Sequence, residues 1–383
     1  MDSPFIFDKP VTGKAFVGRR SACSTLANII THGQNAALWG PPKSGKRSAV
    51  AQTVFNLRSN GVPFMLCTLN LLNVRTPEVF IRKFAGEVIK AATDIPDEIE
   101  SISEKYLYST SLVFDRAFYA ETGEVFGGTF KLSENDCLAA LELPYLIARE
   151  RNTGMAVVLE EFQNLDSPEG ERLFKSMEDV MSAHRDTVSP FCSWILTGSR
   201  TNAMNSIFCR RHYFWNLVER VELPPFAENE IAEFVLKGFS QFGKVIDRDM
   251  IQGVCNLFKN NMWHINHFFF ICNSLSKGFM NDTILNDALS CVMSVNESAY
   301  RSIMDDLTAF QERLLKAVLD GVVKFSTTDV IEKYALNSSA NVKRLKDALM
   351  KKEVITFNDR EEPEVIDPLF EYWLRKYYFK IGK

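Results

Sequence analysis

The sequence predicts an α/β protein whose parallel sheet is covered on both faces, followed by a helical stretch and a winged helix-turn-helix. Three observations predict it. Apolar, strand-like runs alternate with helix-like segments as far as residue 226, the pattern of a parallel sheet with crossover helices. A G-x-x-x-x-G-K loop, Gly40 to Lys46, lies between one such run and a helix-permissive segment. From about Ala227 the strand signals fade, and the chain then ends in three short helical patterns and a hairpin pattern.

The 383 residues, 46% apolar and 24% charged, allow two or three domains with a sizeable core and carry no compositional sign of disorder. Thirty Phe make that core aromatic. A net charge of −4 gives no global field for nucleic acid, so such a role needs a local basic patch. Eight cysteines are scattered singly, with no C-x-x-C pair, and read as reduced core residues of a cytoplasmic protein. The start, MDSPFIFDKP, lacks the basic and apolar regions of a signal peptide. No apolar run approaches bilayer length, so no membrane partner is expected.

In chain order, residues 1–15 read as an extended arm. A helix is expected from about Arg19 to Ile30, with Leu26, Ile29 and Ile30 on one face. NAALWG (35–40) reads as a buried strand, the segment to about Leu57 as a helix, and PFMLCTLNLL (63–72) as a second strand. TPEVFIRKFAGEVIKAAT opens with a Thr cap and a proline at the first helical position. Residues 95–135 look less regular, with GEVFGGTF suggesting a loop or hairpin insertion. SENDCLAALELPYLIARER is a helix with a Ser cap, kinked at Pro144. GMAVVLEEF (154–162), PFCSWILTGS (190–199) and RVELPPF (220–226) complete the strands.

The loop carries the chemistry. A strand, a glycine-rich turn with inward N–H groups and a helix N-terminus together favour a phosphate anion. Gly40, Pro41, Pro42, Lys43, Ser44, Gly45 and Lys46 stand in that order, and Lys46 is placed to reach the β and γ phosphates. The bland alternative is a tight turn with coincidental glycine spacing. Glu160 and Glu161 close the apolar AVVL strand, where one carboxylate can hold Mg²⁺ and the next can polarise water. A strand merely emerging at the surface is the competing reading. Thr197 or Ser199 in WILTGSR could sense a γ-phosphate. Two departures fall on the metal side. Arg47 replaces the hydroxyl residue that ordinarily holds Mg²⁺, and Ser48 comes one residue late, about 100° further round a helix. Glu160 also stands where a shorter Asp is usual. These residues favour ATP or ADP binding and put Mg²⁺-dependent hydrolysis in doubt.

Taken together, FVGRR (16–20), WGPPKSGKRS (39–48), VVLEEFQNL (157–165), ILTGSR (195–200), LPPFAENEI (223–231) and DPLFEYWL (367–374) resemble the signal-transducing (STAND) branch of AAA+-like P-loop ATPases from bacteria and archaea. The resemblance implies a three-layer P-loop NTPase core over 16–226, a helical lid over 227–304 and a winged helix over 305–383. It also implies that nucleotide state controls an oligomerisation or signalling surface, so a protein partner or self-association is expected. By the same likeness Phe16, Val17, Gly18 and Arg19 lie near adenine and ribose, although Phe16 and Val17 could instead pack the arm. Met262 takes the place of a lid proline, leaving Trp263 or His264 to face the nucleotide or the core. Arg210 and Arg211 fall where oligomeric relatives present an arginine finger, with a solvated basic turn as the alternative.

The third helix of the terminal domain, SSANVKRLKDALMKKE, puts Val342, Leu345 and Leu349 on one face and Lys343, Arg344, Lys346, Lys351 and Lys352 elsewhere, as a recognition helix would. Residues 305–383 nevertheless hold 14 Lys or Arg against 14 Asp or Glu, and the wing DREEPE is acidic. That balance disfavours DNA and favours a protein-docking role.

Overall fold

The computed structural model describes residues 3–129, 131–187, 189–358 and 360–381. Met1 and Asp2 of the arm, Phe130 of GEVFGGTF, Asp359 of the wing, and Gly382 and Lys383 lie outside them. The chain forms two compact units. One comprises Arg20–Gly40 and Ala49–Leu223. The other comprises Met1–Arg19, Pro41–Ser48 and Pro224–Lys383.

The first unit is built on α1 (Arg20–Thr31), β1 (Asn35–Trp39), α2 (Lys46–Ser59, its first three residues grouping with the other unit), β2 (Phe64–Asn70), α3 (Pro77–Ala92), α4 (Pro96–Leu107), α5 (Arg116–Thr122), α6 (Glu134–Arg151), β3 (Gly154–Glu160), α7 (Gly170–Ala183), β4 (Cys192–Gly198), α8 (Thr201–Asn205) and β5 (Val218–Arg220). The strands form one parallel sheet in the order β2-β3-β4-β1-β5. Every residue of β3 and β4 is buried, because helices cover both faces. Alternate β3 residues divide between two apolar layers. Val157 and Leu159 pack with Phe80, Phe84 and Leu141, whereas Ala156 and Val158 pack with Leu26, Ile30 and Leu57. This is the three-layer arrangement expected.

Local signals explain the helix starts. The Thr76 side chain accepts from the Val79 N–H ahead of Pro77. Ser133 and Asp136 form a reciprocal capping box at α6, which continues through the buried Pro144. The structure departs from the sequence reading in two places. Residues 95–135, expected to be less regular, contain α4 and α5, with an isolated antiparallel bridge between Phe114 and Phe126 beside GEVFGGTF. Pro96 followed by Asp97 and Glu98 starts the first, and Asp115 caps the second. The last strand ends at Arg220, where RVELPPF was expected to begin one, and only the Val221 N–H continues its bonding, to the Ala37 carbonyl.

The second unit holds α9 (Glu228–Ser240), α10 (Arg248–Leu257), α11 (Met262–Leu275), α12 (Asp282–Asp305), α13 (Ala309–Leu319), α14 (Thr328–Lys333), α15 (Ser339–Lys351), the antiparallel pair β6 (Ile355–Phe357) and β7 (Pro363–Val365), and α16 (Pro368–Trp373). Helices α13 to α15 with the β6–β7 hairpin make the winged helix. Val342, Leu345 and Leu349 of α15 are buried, as their spacing predicts. The arm joins this core. Phe5 is 1% exposed and packs against Phe234, Phe239 and Phe269. Truncating such a ring to alanine costs about 3–5 kcal/mol. All eight cysteines are free, six of them buried. Among the described residues, no helix is long and apolar enough to cross a membrane.

Candidate functional site

The loop between β1 and α2 takes its shape from two left-handed residues, Lys43 (φ 65°) and Gly45 (φ 88°). The second suits only glycine comfortably. Lys46 is buried, and its Nζ donates to the Pro41 carbonyl at 2.8 Å and to Ser44 Oγ at 3.1 Å, folding the ammonium back over the loop. Arg47 is exposed on the first turn of α2. Ser48 Oγ accepts the Val11 N–H at 3.2 Å, so the hydroxyl nearest the missing magnesium ligand is engaged by the arm.

Within the same unit, Lys43 Nζ stands 3.8 Å from the centroid of the Trp263 ring. Trp263 meets Phe7 edge-on, and Phe7 stacks on His267. His264, by contrast, is buried with Nε2 3.5 Å from Asp367 Oδ1, and Phe258 stacks on its ring. Of the two lid candidates, Trp263 touches the loop and His264 faces the winged helix. Asp367 itself caps α16, accepting from the N–H groups of Leu369 and Phe370. Phe16, Val17 and Gly18 are part-buried. Gly18 has φ 60°, and a Cβ there would lie 2.7 Å from Glu230 Oε2.

The carboxylates belong to the sheet unit. In the β-ladder Glu160 pairs with Asn70 on one side and Thr197 on the other. Glu160 is buried, and its Oε2 accepts from Asn70 Nδ2 at 3.1 Å. Glu161 adopts a left-handed backbone (φ 59°), uncommon for a residue with a side chain. Its Oε2 accepts from Ser199 Oγ at 2.5 Å and Gln163 Nε2 at 2.8 Å, which fixes the carboxylate. Ser199 thus holds Glu161, while Thr197 is buried beside Glu160 in the ladder. Gly198 must be small, because a Cβ would meet Met204 Cγ at 2.4 Å and Gln163 Oε1 at 2.6 Å. The Gly40 N–H donates to the Gly198 carbonyl at 3.4 Å, so β1 and β4 leave the sheet together at the edge that carries both glutamates.

Arg210 and Arg211 are both exposed: Arg211 pairs with Asp166 at 2.6 Å, and Arg210 ends a short π-helical turn, in keeping with a solvated basic turn. A groove of about 620 Å³ in the sheet unit is lined by Trp39, Tyr145, His184 and Arg220, and no predicted site residue lines it. Sequence reasoning missed Asn70, Gln163 and the Lys43–Trp263 contact. Asn70 ends a strand and invited inspection; the Trp263 contact had no local signal.

The donor set can be tested against a nucleotide. Gly45, with its left-handed φ, leaves room that a Cβ would fill at 2.9 Å from Arg19 Nη1, and Lys46 supplies a buried cation, so the loop fits phosphate. The magnesium side fits less well, since Arg47 has no hydroxyl and Ser48 is engaged. Among the described residues no group of three His, Cys, Asp or Glu could hold a metal ion.

A family of probable winged helix domains matches residues 298–376. No curated protein matches the chain by sequence. Among solved structures, the chain is similar to a Walker-type ATPase of Pyrococcus abyssi, with TM-score 0.64, 16% identity and coverage of 97% of this chain and 99% of that one. It is also similar to the ORC2 protein of Aeropyrum pernix in its ADPNP–ADP complexes (TM-score 0.58, 12% identity, 96% and 93% covered) and its ADP form (0.55, 11%, 98% and 96%). The chain therefore has the AAA+-like P-loop fold of these proteins, a parallel five-stranded sheet with its helices, and ends in a winged helix domain.

Proposed function

We propose that this protein binds ATP or ADP through the Gly40–Lys46 loop and acts as a nucleotide-controlled switch of the STAND kind. The observation that carries the reading is the company the loop keeps. Residues 41–48 group with the arm, lid and winged helix, and Lys43 rests on the lid residue Trp263. A ligand that reorders the loop is thereby felt by the helices beside it. The ORC2 protein of similar fold was solved with ADPNP and ADP, which supports a nucleotide ligand.

In this reading the inward N–H groups of Gly45 and Lys46 and the Lys46 ammonium receive the phosphates. Magnesium, where bound, would neutralise phosphate charge, and Glu160 would hold it. Glu161, fixed by Ser199 and Gln163, would orient water. A binding-only protein with slow or no turnover is the second reading, favoured by Arg47 and by the engaged Ser48 hydroxyl. DNA binding is disfavoured. Lys346 is drawn over the Phe357 ring of the wing and Lys352 donates to the Asp306 carbonyl, leaving fewer cations of α15 for phosphates.

Limited trypsin digestion tests the switch. Cleavage within residues 224–381 should differ between protein saturated with ADP and with ATP, and identical patterns in both states would sink it. Salt-sensitive binding to duplex DNA, weakened by neutralising Lys343 and Arg344, would instead favour a DNA-binding regulator.

A further inference from the structure

Arg19 lies just before α1, in a left-handed conformation (φ 56°) that immediately follows left-handed Gly18. Two such residues in succession are unfavourable when one carries a long side chain, so the surroundings must hold it there. The side chain shows what does. One nitrogen, Nη1, donates to the Ser44 carbonyl in the phosphate loop at 2.5 Å. Another, Nε, donates to the Pro224 carbonyl at 3.2 Å, and the guanidinium carbon lies 3.9 Å from the centroid of the Phe226 ring. Pro224 and Phe226 lead into α9, the first helix of the lid.

We infer that Arg19 is a positioning residue that sets the phosphate loop in its anion-receiving form and ties that form to the root of the lid. A trans peptide points its C=O and the following N–H in opposite directions. Arg19 therefore, by gripping the Ser44 carbonyl, turns the Gly45 N–H away from itself and leaves it available to a phosphate oxygen. Glycine at 45 serves the same contact, since a Cβ would come 2.9 Å from Arg19 Nη1. The rigid fork of a guanidinium can serve both carbonyls and the Phe226 face together, which a lysine ammonium cannot. The inference rests on nucleotide binding by this loop, and it departs from the expectation that Arg19 meets the adenine or ribose.

The test compares ADP with adenosine, which lacks the phosphates, by competition against a fluorescent ADP derivative on the full chain. Arg19→Ala and Arg19→Lys should each weaken ADP by about tenfold or more, the cost of a lost hydrogen bond to a charged group, while adenosine changes by less than about twofold. Added guanidinium ion should restore part of the ADP affinity of Arg19→Ala. Circular dichroism checks that each variant folds. Should Arg19→Ala fail to fold, Arg19→Lys and Phe226→Leu carry the comparison, the latter with a smaller loss confined to ADP. Equal losses for ADP and adenosine, full rescue by lysine, or ADP affinity unchanged by Arg19→Ala would each overturn the inference. A wild type that binds no ADP would overturn the nucleotide reading itself, and this inference with it.

Discussion

Lys43 of the phosphate loop holds its ammonium 3.8 Å from the centroid of the Trp263 indole on α11. A cation over an indole is worth about 0.5–2 kcal/mol, more as water is excluded. A phosphate arriving in the loop competes for that ammonium with full negative charge. Saturating ADP should therefore shift the tryptophan emission, and Trp263→Phe should remove the shift while keeping ADP affinity within about fivefold, a loss of no more than a weak contact. Emission that ignores saturating ADP would count against a loop that reports to the lid.

The metal side makes a separate prediction. Arg47→Thr restores a hydroxyl at the first turn of α2 and removes a cation that repels Mg²⁺. Phosphate release from ATP should rise by about tenfold or more in the presence of Mg²⁺, which corresponds to a modest barrier change of roughly 1.4 kcal/mol. Ser48→Ala should leave release unchanged, because Ser48 Oγ is engaged with the Val11 N–H. Its cost should appear as stability, about 0.5–1.5 kcal/mol for one hydrogen bond. A Ser48→Ala variant with much lower release would show that the late hydroxyl serves the metal after all.

Glu161 is held by Ser199 and Gln163 at the end of β3. Glu161→Gln keeps the shape and removes the charge that would polarise water. Any phosphate release by the wild type should fall by about a hundredfold or more, the usual contribution of a positioned base. ADP affinity should stay near that of the wild type. Release that survives the substitution would remove Glu161 from the proposed role.

His264 carries a pH signature. Burial lowers its pKa from 6.5 to about 4, with Asp367 opposing the shift and Lys43 and His267 adding to it. The folded value lies below the unfolded one, so the unfolded chain takes up the proton first as pH falls. Stability from neutral His264 is full above about pH 6.5, declines between 6.5 and 4, and levels off below that. The total loss is on the order of 3 kcal/mol at most. Urea titrations across this window should show a steeper decline for the wild type than for His264→Phe, which keeps the stacking partner of Phe258. Parallel slopes would refute a buried, neutral His264.

Much of this was legible in the residues. The strands β1 to β4 announced themselves as apolar runs, and Thr76, Ser133 and Pro77 marked helix starts through their capping chemistry. The order strand, loop, helix around Gly40–Lys46 and the glutamates closing β3 were equally open to reading. Other features depended on distance in sequence. Arg19 meets Ser44 and Pro224, and Lys43 meets Trp263, through the folding of remote segments onto one another, which no local pattern encodes. Within residues 95–135, the Gly and aromatic cluster near 127 masks two short helices, although Pro96 alone is a sufficient start signal for the first. The position of β5 is not legible because it has only three residues, Val218 part-buried and Glu219 and Arg220 exposed, too short to show a period.

Nucleotide binding is tested most directly by the thermal unfolding of the full chain with and without ATP or ADP. A ligand at about a hundred times its Kd stabilises the folded state by about 2.7 kcal/mol. The melting temperature should rise by several degrees with either nucleotide, and not at all in Lys46→Ala. A wild type that melts at the same temperature with and without both nucleotides would contradict nucleotide binding.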